Sequence, residues 1–203
     1  MKTFYVHEKL VTTRSEFFKR ATSGLWQQDA AHLVNLPEDD PDIFKVYLNL
    51  IYTGQLATQS RDEWVKLCRL YVLAEKLQDL QAKNETIKGM YAYCGESANP
   101  VFTAVANKFP AAATKDLYEG TPERSQARKL IADLYANCAD ERWLKGAIAE
   151  FPAEFYHDVF VRLLKKRSAV RFGWTVGTSS RSSYYEADIT SEAKETGGLK
   201  EDS

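Results

Sequence analysis

F-Y-V-H-E-K-L-V-T-T-R-S-E-F-F (residues 4–18), H-L-V-N-L-P-E-D-D-P-D-I-F-K-V-Y-L-N-L-I-Y-T-G-Q-L (32–56) and L-Y-V-L-A-E-K-L-Q-D-L (70–80) together decide how this chain folds. Phe4-Tyr5-Val6 is a short aromatic and β-branched run, which predicts a strand. Two short helices are expected next, around Glu8–Arg14 and over Ser15–Ala21. Ser15 is placed to cap the second, and the Phe17-Phe18 pair to anchor it inside. His32–Leu36 alternates in the manner of a half-buried strand, stopped by Pro37. Asp40 before Pro41 is a helix start, an N-cap acid followed by proline at the first helical position. Phe44, Tyr47, Leu48 and Ile51 then make one apolar stripe, and Gly54 ends the helix. Gln55-Leu56 would begin a return strand.

Farther along, the spacing predicts helices alone. Asp62–Leu77 carries Trp64, Leu67, Cys68 and Tyr71 on one face and Leu70, Leu73, Ala74 and Leu77 on another, so it is expected to be covered on both sides. Further helices are expected over Asp79–Tyr93, Pro100–Phe109, Pro122–Cys138, Asp140–Glu150 and Pro152–Lys166. Their stripes include Ala127, Leu130, Ile131, Leu134 and Cys138 in the third, and Phe155, Val159, Phe160, Leu163 and Leu164 in the last. A mixed first half before a helical second half matches the α+β class. Residues 168–203, with T-S-S-R-S-S at 178–183, are too polar to bury surface and read as a disordered tail, despite Phe172, Trp174 and Tyr184-Tyr185.

The 203 residues hold 44% hydrophobic and 27% charged side chains and a formal net charge of −1, which gives no long-range attraction to nucleic acid or an anionic membrane. Cys68, Cys94 and Cys138 lie far apart, which argues for buried structural thiols in a reducing compartment rather than a disulfide framework. No apolar leader or spanning segment is evident, so a cytoplasmic or nuclear location is expected.

The segments quoted above resemble the BTB/POZ domain, a protein-interaction module, in the divergent form abundant in filamentous fungi. The matching pieces are Phe4–His7, Ser15–Phe18, Leu36–Phe44 and Ile51–Gly54. The resemblance implies a small sheet flanked by helices over 1–80, a helical extension over 81–167 that includes Leu117–Pro122 and Trp143-Leu144, and then the tail. Only Met1-Lys2-Thr3 precede Phe4, so a domain lacking the family's first strand is expected; the resemblance implies a homodimer or a heterodimer with another BTB domain, and the missing strand counts against the usual exchange-type route. Family members that recruit cullin-RING ubiquitin ligases carry an apolar-x-Glu triplet, here Leu25-Trp26-Gln27, where Gln27 replaces the acid. Other proteins, a cullin among them, are the implied partners. Phe17, Phe18, Leu25, Trp26, Gln27, Phe44 and Tyr47 are the candidate contact residues.

Chemistry has little foothold in the sequence. It has no G-x-S-x-G, no glycine-rich phosphate loop and no H-E-x-x-H. His7, at a strand-to-helix junction, is expected as a buried structural residue. His32 opens a predicted strand and His157 lies on a predicted helix, with no Cys/His/Asp cluster at metal spacing near either. Glu38-Asp39-Asp40 reads as a solvated acidic turn. Ser191-Glu192-Ala193-Lys194 fits S-x-x-K but falls in the tail. The expected function is a non-enzymatic interaction module without cofactor or metal, possible alternatives being a nuclear regulatory scaffold and a truncated paralogue with little activity.

Overall fold

The computed structural model describes residues 2–23, 33–59, 62–97, 109–139 and 148–167, all within one compact unit, Met1–Arg167. Eight α-helices and one 3-10 turn account for the regular structure of these residues. They are α1 (Glu8–Arg14), α2 (Glu16–Thr22), α3 (Pro41–Thr53), α4 (Glu63–Lys76), α5 (Leu80–Ser97), α6 (Ala111–Glu119), α7 (Gln126–Cys138), the 3-10 turn Ile148–Glu150, and α8 (Ala153–Arg167). The expected α+β class is therefore corrected: no strand is present among the described residues, at 4–6, 33–36 or 55–56.

The strand expectation fails at Phe4–Val6 for an identifiable reason. Alternation there is real, with Phe4 and Val6 inward and Tyr5 outward, but the surface beneath is α3 rather than a neighbouring strand. Phe4 meets Phe44 edge-on at 5.1 Å. The His7 backbone N–H donates to the Tyr52 hydroxyl at 3.0 Å, where a ladder would have used a carbonyl.

Helix ends obey local rules. Ser15 Oγ accepts from the Phe18 N–H at 3.2 Å, and Asp40 Oδ1 from the Asp42 N–H at 2.8 Å. Gly54 closes α3 in the left-handed conformation at φ 72°. Between α4 and α5 the same conformation falls on Gln78, φ 53°, with Asp79 N–H bonded to the Ala74 carbonyl and Gln78 N–H to that of Glu75. This is a Schellman closure without glycine.

Two apolar clusters form, and α4 belongs to both. Leu70, Leu73, Ala74 and Leu77 join Val11, Phe18, Phe44, Tyr47 and Leu50 in the first. Trp64, Leu67, Cys68 and Tyr71 join Leu117, Ile131, Tyr135 and Phe155 in the second. The two faces of α4 read from the sequence are these two surfaces. At Gly120, ending α6, a Cβ would stand 2.3 Å from Val72 Cγ1, so glycine lets α6 close onto α4.

The helical second half departs from expectation in three places. Helix α6 was not anticipated, and residues 100–108 lie outside the described residues. On α7 the inward residues are Ala127, Arg128, Ile131, Ala132 and Tyr135, with Leu130 and Leu134 half-buried and Cys138 exposed. On α8 Phe155 is buried and Val159 half-buried, while Phe160 and Leu163 are exposed. Arg128 is inward because its guanidinium meets carbonyls that α6 leaves unpaired at its end. It donates to the Tyr118 and Thr121 carbonyls and, at 3.0 Å, to Thr121 Oγ1, and it lies 4.6 Å from the centre of the Tyr118 ring.

Candidate functional site

The part of the molecule with the most convergent polar groups is the junction of the α1–α2 hairpin, α3 and the α4–α5 turn. Asp79 stands at its centre with a fully buried side chain. It stands just past the end of α4 and caps α5, accepting from the Ala82 N–H through Oδ1 at 2.8 Å. Arg14, at the end of α1, donates from Nε to Oδ2 at 3.1 Å and from Nη2 to Oδ1 at 3.4 Å. Tyr47, from α3, donates its hydroxyl to Oδ2 at 3.1 Å. Burial first, and the Asp79 charge second, push the Tyr47 phenol up, so it stays a donor at any ordinary pH. Beside it, Ser15 Oγ donates to the Leu77 carbonyl at 2.5 Å and the Phe17 N–H to the same carbonyl at 3.4 Å. Three segments far apart in sequence, 14–17, Tyr47 and 77–82, are thereby fixed to one another. With every Asp79 contact serving a helix end or a core hydroxyl, the arrangement is structural.

The candidate contact residues separate in this setting. Phe18, Phe44 and Tyr47 are buried, so they position the α2 and α3 helices rather than meet a partner themselves. Phe17 is half-buried against the same cluster. Leu25, Trp26 and Gln27 lie outside the described residues, as does His32. His7, expected to be buried, is exposed, with Nδ1 2.8 Å from the Tyr52 hydroxyl. The Tyr52 hydroxyl thus meets both the His7 backbone N–H and its ring, and it fixes the start of α1 against the end of α3. The Asp79 network and the outer Tyr5 and Tyr52 were missed by sequence reasoning. The bonds of Asp79 to Arg14 and Tyr47, and that of Tyr52 to His7, span 32 or more residues, and no local pattern signals them.

The acidic turn borders a groove of roughly 540 Å³ between α3, α4 and the end of α6. Its charges are largely committed: Asp39 to Lys76 at 2.7 Å, Asp116 to Arg69 at 2.9 Å, and Asp40 to its cap. Among the described residues, no group of three or more histidines, cysteines or carboxylates could hold a metal, and no helix is long and apolar enough to cross a membrane.

The three thiols grade from inside to outside. Cys68 is buried, Cys94 half-buried and Cys138 exposed, which corrects the expectation that all three are interior. Burial pushes the Cys94 thiol up to about 12, with the nearby Cys138 adding to it, and burial raises Cys68 as well. Under iodoacetamide at pH 8, Cys138 is expected to alkylate first, Cys94 far more slowly and Cys68 only on unfolding, read by peptide mass spectrometry. Alkaline stability follows from the same groups. Cys68, Cys94, Tyr47, Tyr118 and Tyr135 all have folded pKa values raised by burial above 9.0 for thiols and 10.0 for phenols. Above those values the unfolded chain releases protons that the folded chain keeps, so stability falls as pH rises. Urea midpoints are expected to hold between pH 7 and 8 and to drop progressively above pH 9. A midpoint flat to pH 11 would contradict this.

Comparison with known proteins gives one result. Residues 1–87 match the family model of the BTB/POZ domain, which points to a protein–protein interaction module in the N-terminal part of the chain. No curated protein and no solved structure matches the chain.

Proposed function

We propose that this chain is a non-catalytic adaptor, in which a BTB/POZ-type module over about 1–80 and a helical extension over 81–167 hold protein partners together. We further assign it to the substrate adaptors of cullin-RING ubiquitin ligases, acting in the cytoplasm or nucleus. One observation carries the interaction-module reading. The matched span, 1–87, takes in the whole first apolar cluster, from Phe4 to Ala82, and the Asp79 network that closes it. The match therefore falls on a packed unit with its own polar lock rather than on scattered similarities. The ligase link rests on Leu25-Trp26-Gln27, whose apolar residue and tryptophan suit an interface anchor, as aromatic residues do generally. The helical extension would lengthen the contact surface.

The test is affinity capture of the tagged full chain from its own cells, followed by mass spectrometry. A cullin recovered with its RING partner is the expected result, and Gln27→Glu should increase that recovery by restoring a charge-assisted bond. Recovery of other proteins with no cullin in either form would remove the ligase assignment and leave the module. Nothing recovered above background would remove both.

A further inference from the structure

We propose that Cys94 and Cys138 are an oxidation site, a pair of thiols that closes into a reversible disulfide and ties α5 to α7. The two lie far apart in the chain, and packing brings their helices together. Helix α5 meets α7 directly, and Met90, Tyr93 and Cys94 of α5 share the second cluster with Ile131, Leu134 and Tyr135 of α7. Phe109 joins the surroundings of the two thiols. Its ring meets that of Tyr93, the residue before Cys94, edge-on at 5.8 Å, and its carbonyl accepts from the Tyr135 hydroxyl at 3.2 Å. Tyr135 stands three residues before Cys138, so the two are neighbours on the surface of α7. Ala139, just past Cys138, packs on the same cluster, which holds the end of α7 against it. Burial pushes the Cys94 thiol up to about 12, and Cys138 is close enough to add to that.

Exposure divides the roles. Cys138 is exposed and is the last residue of α7, where the carbonyls have no partner within the helix and the backbone yields most readily. Cys94 is half-buried, and Cys68 is fully enclosed and out of reach of a dissolved oxidant. Hydrogen peroxide therefore meets Cys138 first. The Cys138 thiolate attacks one peroxide oxygen, an S–O bond forms as the O–O bond breaks, and the departing hydroxide leaves as water with the proton the thiol gave up. Cys94 then attacks the sulfenic sulfur. An S–S bond forms as the S–O bond breaks, and the hydroxyl leaves as water with the Cys94 proton. Two thiols lose two electrons, and one peroxide becomes two waters. The attacking species is the thiolate and Cys94 keeps its proton at neutral pH, so the second step quickens as pH rises. The finished link closes a loop containing α6 and α7 and fastens the helical extension to α5.

The full chain, dilute and monomeric, is treated with hydrogen peroxide at pH 8. Remaining thiols are then alkylated under denaturing conditions, and the non-reduced digest is read by mass spectrometry. A linked Cys94–Cys138 peptide pair is expected, released by dithiothreitol, with Cys68 carrying the alkyl group. In Cys94→Ser the sulfenic acid has no second thiol, so its dimedone adduct on Cys138 should exceed that of the wild type at least about fivefold. Cys94→Ala should do the same, and a circular dichroism melt of each variant shows that α5 is still packed. A Cys138–Cys138 link between two copies as the only disulfide would overturn the proposal. So would a Cys68–Cys94 link, or equal dimedone labelling in the wild type and in a folded Cys94 variant.

Discussion

Asp79→Ala should lower the stability of the protein by about 3–5 kcal/mol, because it strips one side of a buried ion pair and leaves the other inside. Three donors lose their acceptor together: the Arg14 guanidinium, the Tyr47 hydroxyl and the Ala82 N–H at the start of α5. Arg14 is mostly enclosed and has no other partner among the described residues to turn to, which is why the loss exceeds that of a surface pair. Comparison variants separate the contributions. Tyr47→Phe removes one hydroxyl and should cost about 1 kcal/mol, the net value of a single hydrogen bond. Asp79→Asn keeps an oxygen for the α5 cap but loses the charge, and should fall between the two. Urea denaturation followed by far-UV circular dichroism measures all three. If Asp79→Ala and Tyr47→Phe prove equally mild, the carboxylate is not the lock described here.

How far each part could be read from sequence depends on the range of the interactions that make it. Helix α3 was fully legible because Asp40, Pro41, the Phe44/Tyr47/Ile51 stripe and Gly54 act within one helix or its ends. The two-sided character of α4 was legible too, since its two stripes record two neighbours without naming them. Asp79 was legible only as a helix start. Its bonds to Tyr47 and Arg14 cross 32 and 65 residues, and nothing local encodes them. Phe4–Val6 misled because period-two alternation reports an extended segment on an apolar surface, whether that surface is a strand or, as here, a helix. On α7 the reading followed apolar residues alone and so passed over Arg128, which faces inward to complete the end of α6. Helix α6 itself offers Leu117 and Tyr118 but no side-chain cap, and Ala111–Thr114 is too plain to show a stripe.

The Trp64→Ala variant probes the other consequence of α4 serving both clusters. Trp64 is 1% exposed, meets Phe109 edge-on at 4.7 Å and lies 5.5 Å from Tyr93. Truncation removes a large aromatic side chain that the surrounding helices cannot fully replace by collapsing, and should cost about 3–5 kcal/mol. Trp64→Phe should be much milder. It keeps part of the packing and removes an indole N–H that has no acceptor among the described residues, so some of the lost contact is offset. The residue sits on the second cluster, outside the Asp79 network, yet its effect should reach the first. A loosened α4 withdraws Leu70, Leu73 and Leu77 from the α1–α3 side at the same time. Hydrogen exchange in Trp64→Ala should therefore accelerate in α3 amides as much as in α6 and α7 amides, with a single urea transition. Acceleration confined to α6 and α7, with α3 still protected, would mean that the N-terminal module keeps its stability independently of the helical extension packed on the far face of α4.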